Sequence, residues 1–256
     1  MVKVHFIGRT FPEPFSLAIR LPELKWLWLQ ENLELLFRVF VSNSFVNIEC
    51  ELARFEPSYF IELLKRASDL AQTAVNLAAF ATGQSITVKL ETWIQPDGTP
   101  ATIMLGDPPL APICTAYGLG PERQDDLNAI AAEVATDLNL SFALNDLIET
   151  ITYFHVGPVR CALAMDRIKH LIAKNENLKD SQAWRLMQDA LQISEPYLKV
   201  ITDVSRSPRH GRPGFIEGTI TTDVTRRAWT VMNRYLEYRK RGGEKPLPEA
   251  EFPLLT

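Results

Sequence analysis

Gly106-Asp107-Pro108-Pro109-Leu110-Ala111-Pro112-Ile113-Cys114-Thr115-Ala116-Tyr117-Gly118-Leu119-Gly120-Pro121 divides the chain. Four prolines and three glycines fall in these sixteen residues. Proline removes a backbone donor and fixes φ, and glycine weakens any regular element, so neither helix nor strand is expected to run through. The two sides differ in hydrophobic period. Upstream the apolar residues largely alternate, and downstream they recur at three- and four-residue steps. The expected architecture is an α+β N-terminal domain (1–117), an antiparallel sheet with a packed helix, followed by an all-α helical bundle (118–256).

On the upstream side, Leu35-Leu36-Phe37-Arg38-Val39-Phe40-Val41 is rich in β-branched and aromatic residues. Ser42-Asn43-Ser44 supplies turn chemistry before Phe45-Val46-Asn47-Ile48-Glu49-Cys50 alternates apolar with polar, which predicts an antiparallel hairpin. Val2–Ile7, Ser16–Arg20, Ser85–Ile94 and Ala101–Leu105 read as further strands, the last two joined at Pro96-Asp97-Gly98. Phe60, Leu63, Leu64, Ala67, Leu70, Ala71, Ala74, Val75 and Ala78 lie at helical spacing, with Pro57 suited to the first turn and Gly83 to the stop. Trp26 and Trp28 share a face if their segment is a strand, and a packed core is a plainer account of them than a ligand platform.

Downstream, helices are expected over 122–138, Phe142–Phe154, Val159–Lys174, Gln182–Leu191 behind a cap at Asp180 or Ser181, Glu195–Ser205, and Ile220–Lys240. The tail Pro246–Thr256 is open to two readings, docking on the body or onto a partner.

Composition narrows the class. A hydrophobic share of 46% with 23% charged residues excludes long-range disorder. No apolar run approaches the roughly 20 residues needed to span a bilayer, so no membrane association is expected. The opening Met1-Val-Lys-Val-His-Phe-Ile-Gly reads as a first strand, and the chain as cytoplasmic. Cys50, Cys114 and Cys161 are few and widely spaced, which suggests three buried, reduced thiols and no metal or other cofactor. G-x-G-x-x-G, Walker, G-x-S-x-G and H-E-x-x-H patterns are all missing.

Charge is unevenly placed. Arg206–Lys245 holds ten Lys or Arg against four Asp or Glu, whereas the remainder holds seventeen against twenty-seven. Within this segment Ser205-Arg206-Ser207-Pro208-Arg209-His210-Gly211-Arg212-Pro213-Gly214 packs three arginines and a histidine into seven residues, where Pro208 is expected to end a helix. Guanidinium groups clamp phosphate and histidine passes protons near neutral pH. Together they meet the minimum needs of metal-free RNA cleavage: base, acid and charge stabilisation. The plainer alternative is that Arg and His near a helix C-terminus oppose its dipole.

The C-terminal half resembles the HEPN superfamily, helical bundles with an Arg-x4–6-His signature late in the domain. The similarity rests on an entry helix at Leu140–Phe154, an amphipathic helix with Asp166 as mid-helix acid, and Trp184 in a short helix. It continues through Pro208-Arg209-His210-Gly211 and a long final helix with Arg226-Arg227-Ala228-Trp229 and Asn233-Arg234-Tyr235. It covers roughly Leu140–Arg241. The resemblance implies a dimerising bundle that acts on single-stranded RNA, in a defence or toxin–antitoxin setting, or a relative that keeps binding without catalysis. His210 matches the signature histidine and Arg206 its arginine, with three residues between them, one fewer than the signature. If catalytic, the domain would be a metal-independent endoribonuclease, His210 serving as acid/base while Arg206 and Arg209 stabilise phosphate charge.

The other binding candidates are Arg212, Arg226, Arg227 and Arg234. In the last helix, arginines alternate with Trp229, Tyr235 and Tyr238, a pattern suited to phosphates and stacked bases, although the spacing also fits core aromatics under a solvated face. Asp166 lies four residues before His170 and is placed either to orient an arginine of the turn or to form a surface ion pair. The partners implied are single-stranded RNA, a second copy, and a protein docked on the N-terminal domain. The contrasting reading is a structural protein of an operon-encoded complex with no nucleic-acid role.

Overall fold

The computed structural model describes residues 1–13, 18–103, 110, 124–153, 156–174, 178–209 and 216–256. The chain divides into two compact units, Met1–Leu105 and Gly106–Thr256. The first is an antiparallel sheet with one long helix, and the second is helical.

In the first unit, the hairpin formed by β4 (Leu33–Ser42) and β5 (Phe45–Leu52) pairs Val39 with Ile48 and Phe37 with Cys50. β1 (Val2–Phe11) joins the other edge of β5, and β6 (Thr87–Ile94) and β7 (Pro100–Thr102) follow. At the opposite edge, β2 (Ala18–Arg20) and β3 (Leu24–Trp28) both pair with β4, at its two ends. Alternation sets the two faces. Val4, Phe6, Leu35, Phe37, Val39, Ile48 and Cys50 are all buried, while their neighbours point to the other side.

A short 3-10 turn, Pro57–Tyr59, leads into α1 (Phe60–Thr82), which packs against β1, β4, β5 and β6 through buried Leu63, Ala67, Ala71, Ala74 and Val75. Each fully buried Leu, Val or Phe contributes roughly 1.5–3 kcal/mol, and small alanines let the helix approach the sheet closely. Gly83 closes α1 in the left-handed conformation (φ 66°), its N–H returning to the Ala79 carbonyl.

β3 was not assigned from sequence. It lies beside only one strand, and Pro22 and Lys25 weaken its signal, but its pairing puts Trp26 opposite Leu35 and Trp28 opposite Leu33. The two indoles stack at 6.0 Å and are half-buried against α1 and Tyr59, with the Arg66 guanidinium over Trp26. They belong to the packing of this unit.

Gly8 in β1 is buried at the point where the pairing with β6 slips by one residue. There the β6 backbone passes so close that a Cβ on residue 8 would lie 2.8 Å from the Leu90 Cα and nearer still to the Lys89 carbonyl oxygen.

The second unit has helices α2 (Gln124–Thr136), α3 (Leu138–Thr152), α4 (Gly157–Ala173), α5 (Asp180–Leu191), α6 (Glu195–Arg209) and α7 (Gly218–Lys240). Central α4 touches α3, α5, α6 and α7, and its Cys161, Met165 and Ile168 meet Leu140, Leu147, Met187, Ile201, Val231 and Tyr235 in one core.

Three expectations are corrected here. The chain breaks at Asp137, whose extended backbone and carboxylate, accepting from the Leu140 N–H at 3.2 Å, start α3 four residues earlier than read. α5 is capped at Lys179, whose N–H donates to the Gln182 side chain at 3.1 Å, leaving Asp180 in the first turn. Pro208 lies inside α6, which runs on to Arg209. Proline there forfeits one backbone hydrogen bond, and the helical backbone nevertheless passes through it.

The tail docks on the body of its own unit. Leu247 N–H donates to the Ala190 carbonyl at 2.9 Å, and Ile193 and Leu255 form a parallel bridge in which Leu255 N–H reaches Gln192 (3.0 Å) and Ser194 N–H reaches Leu255 (2.9 Å). Phe252 and Leu255 pack on the helical core.

Cys50 and Cys161 are buried and free, and burial pushes both thiols up to about 12. Cys114 lies outside the described residues. Neither Cys50 nor Cys161 should therefore be alkylated in the folded protein near pH 8, where a free thiol is partly thiolate. Peptide mapping after iodoacetamide treatment checks this, and modification of either residue at a free-thiol rate would contradict the packing.

Candidate nucleic-acid interface

Gln192–Ser194 joins α5 to α6, and the two helices line a groove of about 340 Å³. Trp184, Arg185 and Gln188 come from α5, and Lys199, Thr202 and Asp203 from α6. Arg206 follows Thr202 and Asp203 by four and three residues, so it continues the α6 face that walls the groove. It is exposed.

Trp184 packs against a buried ammonium. Lys169 of α4, with its side chain only 4% exposed, places its Nζ 4.7 Å from the indole centroid. That ammonium donates to Asp180 at 2.5 Å and Asp166 at 3.1 Å. Lys169 holds the Asp180 carboxyl below the usual aspartate range. The ring thus packs on an ammonium that two carboxylates hold in place. On α6, Lys199 pairs with Glu195 at 2.7 Å and lowers that carboxyl.

The residues read from sequence are distributed as follows. His210 and Arg212 lie outside the described residues. Arg209 is the last residue of α6. Arg226, near the start of α7, is exposed. Arg227 is mostly covered, donating to Asp223 at 2.9 Å with its guanidinium 4.5 Å from the Tyr197 ring. Asp166 accepts from Lys169, one turn away on its own helix.

Arg234 is corrected from binding residue to structural residue. It is 8% exposed, and its guanidinium donates to the carbonyls of Leu191 (2.9 Å), Gln192 (2.7 Å) and Pro253 (2.6 Å). The alternation of arginine with aromatics along α7 is likewise internal, since Tyr235 and Tyr238 are buried and Trp229 packs on the core.

Residues 4–104 match the family described as the N-terminal domain of DUF8168, a domain of unknown function, and residues 127–240 match its C-terminal domain. The chain belongs to the DUF8168 family. No curated protein and no solved structure matches it.

Within the DUF8168 C-terminal domain, sequence reasoning missed Asp146. Its carboxylate, 3% exposed, accepts from Arg160 Nη1 at 2.9 Å and Arg167 Nε at 2.8 Å, so two half-exposed arginines of α4 are pinned to α3. Arg160 also reaches Glu149. The signal was the seven-residue spacing of Arg160 and Arg167, which places them on one helix face. The groove was missed as well, because which faces of α5 and α6 meet is a tertiary fact. In the DUF8168 N-terminal domain the corresponding charge cluster is internally satisfied: Arg38 pairs with Glu23 (2.7 Å), Glu51 (3.0 Å) and Glu49. Among the described residues there is no cluster of potential metal ligands and no helix long and apolar enough to cross a membrane.

Proposed function

We propose that the helical unit is a HEPN-like module that binds single-stranded RNA without cutting it. The observation behind this reading is the exposure of Arg206 and Arg226, neither of which has an ion-pair partner among the described residues. They stand on α6 and α7, the helices that precede and follow His210 and Arg212 in the sequence. An uncompensated guanidinium at a surface is suited to phosphate. Binding is favoured over cleavage because Asp166, the acid supplied by the HEPN resemblance, is already engaged by Lys169.

With about four phosphates neutralised, affinity for single-stranded RNA should fall roughly 50-fold between about 50 and 200 mM salt. Replacing Arg206 and Arg226 together with alanine should flatten the log–log slope by about 1.4, since each single-strand phosphate contributes about 0.7. Filter binding across a salt series measures both. Salt-independent association, or none at low salt, would remove RNA from the account. Cleavage that survives EDTA and disappears in His210→Ala would replace the binding reading with a nuclease.

A further inference from the structure

We propose that the groove between α5 and α6 is a subsite for one unpaired nucleobase stacked on Trp184, an assignment that rests on reading the helical unit as an RNA binder. Five observations converge on this ligand. The indole packs against the buried Lys169 ammonium, 4.7 Å from its centroid, so stacking on it costs little side-chain ordering.

An ammonium on one face draws π density toward itself, so the groove-side face favours a neutral heteroaromatic ring over a second cation. The groove's ionisable lining balances, Arg185 and Lys199 against Glu195 and Asp203. That suits an uncharged base, leaving its phosphate to Arg206 one turn along α6. At about 340 Å³ the groove lies at the small end of ligand pockets, the size of a single nucleotide unit and not of a duplex. Ser181, Gln188 and Thr202 supply donors and acceptors for a base edge.

The probes are the four nucleoside monophosphates, titrated into the full chain while the Trp184 indole N–H resonance, assigned by its loss in Trp184→Phe, is followed by NMR. Thr202→Phe, which fills the groove from the α6 wall without touching the Lys169 anchor, is the blocking variant. Saturable movement of the Trp184 resonance in the native chain, abolished in Thr202→Phe, is expected. So is a loss of RNA affinity of roughly tenfold or more in that variant. A resonance that no mononucleotide moves at millimolar concentration overturns the subsite, and so does native RNA affinity in Thr202→Phe. In the latter case RNA binding survives and only the groove is excluded. Mononucleotide binding blocked by Thr202→Phe, in a chain that binds no RNA, keeps the groove as a nucleotide site and removes the RNA reading instead.

Discussion

Gly8→Ala should destabilise the N-terminal unit by about 3 kcal/mol or more, near the upper end of what overpacking costs. The new methyl group would meet backbone on the neighbouring central strand, the Lys89 carbonyl together with the Leu90 Cα at 2.8 Å, and not the yielding end of a side chain. Relief requires β6 to move away from β1, which breaks the ladder on one side of the slip between Ile7 and Gly8. For a unit of this size the midpoint of thermal unfolding should drop by roughly 12–20 °C. Gly83→Ala makes the control: its added methyl enters open space, and only the positive φ opposes it, at about 1 kcal/mol. Circular dichroism melts of the two variants measure the difference. A Gly8→Ala loss no larger than that of Gly83→Ala would mean the two strands are not packed this closely.

Arg234→Ala carries the second large effect, about 3 kcal/mol in the helical unit, because it strands the buried Leu191 carbonyl and removes two further hydrogen bonds, to Gln192 and Pro253. Leu191 and Gln192 carry carbonyls at the C-terminal end of α5, where no intrahelical donor remains. The guanidinium fork satisfies both from one nitrogen and uses the other for Pro253, so one side chain caps a helix and ties down the tail. Burial lowers its pKa, but an arginine starts so far above neutrality that it stays charged and favours the negative end of the helix dipole. Arg234→Lys keeps the charge and loses the fork, and should recover less than half the stability. Urea melts with limited proteolysis of Pro246–Thr256 test this. Native stability in Arg234→Lys, with RNA affinity lost in Arg234→Ala, would return the residue to the binding surface.

The contrast between these two positions shows what the sequence made legible. The β4–β5 hairpin and α1 were read correctly because each carries its own period, alternation in one and the Leu/Ala stripe closed by Gly83 in the other. Gly8 gave no such signal: its necessity comes from Lys89 and Leu90, some eighty residues away. Arg234 misled for a related reason. Its partners are three carbonyls, and a carbonyl leaves no mark in a sequence, so a buried helix cap looked like one more cation in a basic helix. Pro208 reads as a stop because proline lacks the backbone donor that a helix uses, yet α6 includes it. At the groove, the spacing of Trp184 with Gln188 and of Lys199 with Asp203 and Arg206 was visible, but their confrontation depends on the α5–α6 corner.

The docked tail has a consequence for the order in which the protein is made. Among the described residues every strand of the sheet unit has been synthesised by Thr102, so these strands have their pairing partners early. The α5–α6 corner is different, since Ile193 waits for Leu255, which emerges sixty-two residues later. Domains generally fold as units from the N-terminus during synthesis, so the helical unit passes through an interval in which its helices exist but its corner is open. In that interval the Ser194 N–H and the Gln192 carbonyl lack their Leu255 partners, and the apolar seat of Phe252 faces solvent. A chaperone that recognises exposed apolar surface therefore has a defined window, ending when the last residues arrive to close the corner.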